Sequence, residues 1–295
     1  DFATADSASR PLHPHTMNHD SNLLWLSVSP HLKCFDRRLL AQLVKRHPVR
    51  TWEYAQTVDE ACCIDAVVAA LHEYVSDRTA IEKRSGNHDY KVHLLGHGIS
   101  GVVALMYARS YPENVASLTL LSVNAKPAVN WQAHYYALRQ LLPCSREIIL
   151  TQMARMMFGH QPKRFSKALS QLLASDLDSS ISLHSLAHDI VIPVGSTAVP
   201  LLVCNGERDS IIQAQRDAVW QQCRKPGDRI WQCPEGHHFF HFHHAEVVAD
   251  IVTEHIESNG KISPSTIQNS SEKLSSDTGE SLQPSLDAAK ITASQ

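Results

Sequence analysis

No stretch of about 18 consecutive apolar residues occurs in this chain, so none of it reads as a transmembrane helix. Neither sign of charge predominates: 27 Lys and Arg stand against 30 Asp and Glu, a formal net charge of −3. Without a basic excess, a nucleic-acid partner is not expected. Glycine and proline number only 11 and 14 in 295 residues, which excludes a collagen-like or low-complexity chain. The seven cysteines, at 34, 62, 63, 144, 204, 223 and 233, contain no CxxC pair and no evenly spaced framework. No signal-peptide pattern precedes the first apolar run, so they are expected to be reduced thiols in a cytoplasmic protein.

What is present is enough apolar material, 43% of residues, to build a core for one domain of α/β size. Residues 1–20 are polar and aperiodic, with Met17 just ahead of the first apolar run. They are expected to be a disordered extension, with Met17 the natural start. Residues 258–295 are Ser-rich and lack any aromatic, so little apolar burial can offset the entropy of ordering them, and a disordered tail is expected. The single domain is expected over 21–257.

Within it, short apolar runs alternate with longer segments of helical period, the pattern of a mostly parallel sheet with helices on both faces. Strands are predicted at Leu23–Val28, Val49–Tyr54, Tyr90–Leu95, Val115–Val123, Pro200–Asn205 and Arg229–Gln232. Helices are predicted at Asp36–His47, Asp59–Val75, Ile99–Arg109 and Ala245–Ile256, the second with Ile64, Val67, Val68, Leu71 and Val75 on one stripe. From about 127 to 187 the pattern is helical throughout, with candidate helices at 131–142, 145–158 and 163–173. An insertion of this kind between two strands is expected to form a cap over the carboxyl ends of the sheet, where open α/β sheets bind ligands.

The most informative passage joins an apolar strand to a helix through Gly96-His97-Gly98-Ile99-Ser100-Gly101. Downstream, Asn205-Gly206-Glu207-Arg208-Asp209 follows one predicted strand and Pro234-Glu235-Gly236-His237 follows the last. In motif, order and element context these three landmarks resemble the α/β-hydrolase superfamily, over about residues 22–256. That family writes its nucleophile elbow GHSxGG and carries its acid and its histidine after later strands. The resemblance implies the α/β-hydrolase fold with a helical cap, Gly96, His97, Gly98 and Gly101 as the elbow, and Asp209 and His237 as an acid–base pair.

At the nucleophile position, however, stands Gly98, which has no side chain with which to attack a carbonyl. Glycine also relieves the backbone strain of the sharp turn. Ser100 is the nearest hydroxyl, two residues on, and is either a small residue that lets the helix pack closely or a displaced nucleophile. About 200° of rotation around the helix separates the two positions. The oxyanion segment is altered as well, since Ser27-Val28-Ser29-Pro30-His31 stands where the family has His-Gly, and Pro30 removes a backbone donor.

Ser29, His31, Trp131, His134 and Tyr135 are candidate pocket residues, apolar with a few polar groups. The run from His237 to His244 carries five imidazoles, but no cluster of Cys, Asp or Glu accompanies it at ligand spacing, so neither a metal nor another cofactor is expected. Two functions stay open. One is a non-hydrolytic protein that binds a small apolar ligand or a protein partner. The other is an atypical hydrolase of ester or other acyl substrates, using Asp209 and His237 with water or Ser100.

Overall fold

The short apolar runs pair as strands in the computed structural model, which describes residues 22–55, 63–126, 129–179, 193–212 and 217–260. Strands β1 (Leu23–Ser27), β2 (Val49–Glu53), β3 (Val92–His97), β4 (Val115–Leu121), β5 (Leu201–Gly206) and β6 (Arg229–Cys233) form one sheet in the order β2-β1-β3-β4-β5-β6. Every described pairing is parallel. Buried on both faces, the inner strands need apolar residues at nearly every position, and LLWLS in β1 and LLVCNG in β5 are buried throughout. The edge strand β2, VRTWE, carries its charged residues to the exposed side. The chain moves outward from β1 to β2 and then returns to the other side of β1 at β3. The crevice beyond the carboxyl ends of β1 and β3 is therefore the topological switch point, where such sheets place ligands.

Helices cover both faces. On one, α2 (Ile64–Arg84) and α3 (Gly98–Ser110) bury Val67, Leu71, Val75, Val103 and Tyr107 against the sheet. On the other, α1 (Arg37–Leu43) and the last helix bury Leu39, Leu43, Val248, Val252 and Ile256. The predicted helical insertion between β4 and β5 is present as α4 (Trp131–Leu141), α5 (Arg146–Phe158) and α6 (Lys163–Ser179). Its start signals are local: the Asn130 side chain accepts from Ala133 N at 3.0 Å and Ser145 Oγ from Ile148 N at 3.3 Å. Its apolar side, with Ile149, Met153 and Met157, joins Leu32, Phe35, Ile211 and Phe239 in a third core cluster. Those last four residues come from loops at the carboxyl ends of strands, so the cap roofs that end of the sheet.

Further short or extended helical segments depart from the predicted pattern. Helix α2 continues nine residues past Val75, where the apolar stripe stops; there Arg78 pairs with Glu82 at 2.9 Å and Thr79 Oγ1 donates to the Val75 carbonyl. Helix α7 (Asp217–Cys223) has no predicted counterpart; it is held by buried Trp220, whose Nε1 donates to the Val123 carbonyl at 3.0 Å. A short α8 (Phe240–His243) precedes α9 (Ala245–Gly260), which runs a turn beyond the predicted Ile256 and past the expected domain edge at 257. The extension 1–20 and residues 261–295 of the tail lie outside the described residues.

Among the buried imidazoles of this framework are His93 on β3, with Nδ1 at 2.8 Å from Ser117 Oγ, and His255 on α9. Burial is the largest cause that pushes each down to about 4, with the neighbouring His255 and His47 imidazoles adding to it at His93 and the Arg229 guanidinium adding to it at His255. In the unfolded chain both take protons near 6.5. Unfolded protein therefore binds more protons than folded protein between about pH 4 and 6.5, and stability is full above that window and falls as pH drops through it. Melting temperature is expected to fall between pH 7 and pH 5, and less steeply in His255→Gln; a midpoint indifferent to pH would contradict this.

Candidate active site

The turn from β3 into α3 depends on two glycines that have no room for a side chain. A Cβ on Gly96 would lie 2.7 Å from Gly101 N, and a Cβ on Gly101 would lie 2.5 Å from Val123 Cγ2. Their absence lets α3 start directly on the last residue of the strand, and His97 and Gly98 project over the carboxyl end of the sheet. Gly98 has φ +52, the left-handed region that costs a side chain about 1–3 kcal/mol. The elbow thus keeps its sharp backbone turn. The nearest non-neighbouring heavy atom to a Cβ built on Gly98 is His238 Nε2, at 3.9 Å.

His238, and not His237, is the imidazole paired with the acid: His238 Nδ1 lies 2.8 Å from Asp209 Oδ2. Both side chains are buried. The pairing assigns the proton to Nδ1 and leaves Nε2 to face the empty position above Gly98. Asp209 Oδ1 accepts from Ile211 N at 3.0 Å and Ile212 N at 3.3 Å. Burial alone would raise the Asp209 carboxyl, but His238 and these two backbone donors together outweigh it and hold its pKa below the ordinary value.

The shift by one residue has a backbone cause. At Gly206 a Cβ would lie 2.6 Å from the His237 carbonyl oxygen, and Arg208 N donates to the Gly236 carbonyl at 2.8 Å. Residues 236 and 237 are therefore pressed against the end of β5, with Glu235 at φ +57 making the turn. The side chain of His237 leaves toward the cap, where a Cβ on Gly159 would lie 2.6 Å from its Nε2. The next residue, His238, is the one carried over the sheet.

The His238 backbone is clamped from two sides. Its carbonyl accepts from Ser122 Oγ at 2.7 Å and from His97 Nε2 at 2.9 Å. Ser122 itself sits at φ +52 just past β4, a conformation uncommon outside glycine. Burial first, then His241 and His238, hold His97 well below its usual pKa, so it is neutral and its Nε2 proton serves this bond.

A second carboxylate–imidazole pair lies behind it: Asp36 Oδ1 is 3.0 Å from His241 Nε2, and Asp36 Oδ2 accepts from Trp25 Nε1 at 3.1 Å. The His97 ring lies between His238 and His241, with centroids 4.9 and 4.6 Å away. Asp36 and His241 were not singled out in the sequence, because nothing in residue spacing relates positions 205 apart.

Ser100 is buried and its Oγ accepts from Val28 N at 3.0 Å. The hydroxyl is thereby committed to the first backbone donor past β1. A cavity of about 20 Å³ remains, lined by Ser29, His97, Gly98, Ser100, Trp131 and His238 among others. One water needs roughly 10–15 Å³ on this measure, whereas sites for drug-sized ligands occupy about 300–1,000 Å³. The space is that of one water molecule.

Of the predicted pocket residues, Ser29 and Trp131 reach this cavity. His31 is exposed on a turn, and His134 and Tyr135 are not among the lining residues; Tyr135 packs in the cap cluster. Among the described residues, no group of three or more His, Cys, Asp or Glu is arranged to hold a metal ion. Nor is any described helix long and apolar enough to cross a membrane. Chemically, the site can hold a water or a small polar group against an oriented imidazole, and it has no side chain that can be acylated at residue 98.

Comparison with known proteins agrees with the fold. The Alpha/beta hydrolase family model matches residues 25–251. A protein of Synechocystis sp. described as uncharacterized is 43% identical over 233 residues, 79% of this chain and 89% of that one. One of Nostoc sp., also described as uncharacterized, is 41% identical over 234 residues, covering 79% and 90%. Among solved structures, a thermophilic esterase from Thermogutta terrifontis superposes with a TM-score of 0.58 at 17% identity, over 82% of this chain and 91% of its own. At that identity the likeness concerns the fold alone.

Removing the Asp209 carboxylate would leave three donors, from His238, Ile211 and Ile212, without a partner in a buried site. At about 1–3 kcal/mol for each such group, Asp209→Ala is expected to lose at least 3 kcal/mol or so, measured by urea unfolding. Asp209→Asn, which still accepts from the backbone, is expected to lose less. Equal losses would show that the hydrogen bonds are not what the carboxylate supplies.

Proposed function

The chain belongs to the Alpha/beta hydrolase family, and from that premise we propose that it is a non-hydrolytic member, which keeps the family's oriented acid–base pair but uses the scaffold for binding. The observation that carries the reading is Gly98: at the apex of the elbow, φ +52 and no side chain, acyl-enzyme formation has no atom to start from. Two further features support it. Ser100 Oγ is engaged by Val28 N, so the hydroxyl nearest in sequence is held at a structural bond. The cavity beside His238, about 20 Å³, leaves no room for an acyl chain, so an apolar ligand or a protein partner would meet the cap or the outer surface. The described cysteines are all unpaired, which supports a reducing, cytoplasmic setting.

A second reading has one observation in its favour. His238 Nε2 faces open space at the nucleophile position, and a water there would be within reach of a general base whose tautomer Asp209 sets. Direct attack by that water on an ester or other acyl compound would make the protein a slow hydrolase. Sites that lack triad members retain roughly 10³–10⁴-fold over water.

Turnover of p-nitrophenyl esters of graded chain length separates the two. The proposal expects wild type at the uncatalysed rate with every ester and, with the shortest ester only, since the cavity is small, a gain of activity in Gly98→Ser that is lost again in Gly98→Ser/His238→Ala. His237→Ala, in the same background, is expected to keep it, since that ring faces Gly159. Wild-type turnover abolished by His238→Ala would establish the water-based hydrolase instead.

A further inference from the structure

The chain's charge is unevenly spread. Between residues 148 and 175 there is no Asp or Glu, while Arg155, Lys163, Arg164 and Lys167 are all basic, in a protein whose formal net charge is −3. Three of these four line one groove of about 790 Å³ between α5 and α6, within the size range of small-molecule sites.

The two ends of the groove differ. At the end where α5 hands over to α6, Arg155, Lys163 and Lys167 face the opening, and among the described residues none of them is engaged in an ion pair. At the opposite end Arg146 is already neutralised by Asp178 at 2.7 Å, and Glu147 adds a negative charge. The floor between them is formed by buried Leu150 and by Ala174. The floor hydroxyls of Thr151 and Ser170 lie 3.3 Å apart and donate to helix carbonyls, Glu147 O and Ser166 O. The middle of the groove therefore offers apolar surface and few free donors, and one end offers three cations. The positive end of the α6 dipole points the same way.

We infer that this groove binds an amphipathic oxyanion, an apolar chain ending in a phosphate-like head, with the head among Arg155, Lys163 and Lys167 and the chain over Leu150 and Ala174. Charge complementarity selects the head, and the apolar surface of Leu150 and Ala174, beside which the Thr151 and Ser170 hydroxyls are already engaged, selects the chain. No residue lines both this groove and the cavity beside His238, so the inference holds or fails independently of the reading of the elbow.

Isothermal titration of the full chain with monomeric decyl phosphate, decanol and inorganic phosphate tests it. Decyl phosphate is expected to bind at one site per chain, more tightly than either fragment, and to weaken with salt as exposed charge pairs do. Lys163→Gln/Lys167→Gln, both on exposed side chains, is expected to weaken it about tenfold or more, as loss of hydrogen bonds to a charged group would. Ala174→Phe, which fills the floor, is expected to weaken decyl phosphate and leave inorganic phosphate unchanged. His238→Ala is expected to bind like wild type.

Decanol binding as tightly as decyl phosphate would overturn the head-group assignment. Inorganic phosphate binding as tightly would overturn the chain assignment. Unchanged affinity in the lysine double variant, or no saturable binding of decyl phosphate, would overturn the site.

Discussion

The closeness of Gly96 to Gly101 is the constraint on which the rest of the site depends. With 2.7 Å between a would-be Cβ on one and the backbone nitrogen of the other, strand β3 and helix α3 are joined with no loop between them. His97 and Gly98 are then held at the switch point of the sheet, on a backbone too tightly packed to drift. The second glycine contact, Gly206 against the loop at 236–237, does the same for the histidine loop. It determines which of two adjacent imidazoles comes to face the elbow.

On that frame the protein keeps an arrangement that is expensive for a core. Two carboxylates, Asp36 and Asp209, lie buried, each against a buried imidazole, His241 and His238, and the part-buried His97 ring lies between those two rings. Buried charge is tolerated only where hydrogen bonds replace the lost water, and here each carboxylate has them: Trp25 and His241 for Asp36, His238 and two backbone N–H groups for Asp209. Burial holds the His97 ring between His238 and His241 neutral. Carboxylates satisfied to this degree rigidify their surroundings whether or not a substrate is turned over. The Asp209–His238 pair is accordingly compatible with a glycine at residue 98.

Much of this was legible in the residues. All six strands appear where short apolar runs predict them, because inner strands of a parallel sheet must be apolar on both faces. The cap helices are equally visible from their period and from Asn130 and Ser145 at their starts. The second half of α2 and all of α7 escaped, since a helix held by an Arg78–Glu82 pair or by a single Trp220 leaves no apolar stripe to read. At the site, Gly98 and Asp209 were readable from their motifs, but the choice between His237 and His238 was not. It rests on a backbone contact with Gly206 that lies 30 residues away in sequence, and one residue of register reverses the direction of the side chain. That His31, His134 and Tyr135 do not line the cavity beside His238 follows from burial and direction, which are set by packing that composition does not encode.

The central claim is that the elbow is intact in shape and lacks only its nucleophile. Intact-mass analysis after exposure to an alkyl fluorophosphonate tests this directly, because the reagent reports an activated hydroxyl without requiring turnover. The account predicts an unmodified wild type and, in Gly98→Ser, a single adduct on residue 98 that disappears when His238 is also replaced by Ala. An adduct on wild-type protein, at Ser100 above all, would contradict it, as would a Gly98→Ser variant that folds normally and remains unlabelled.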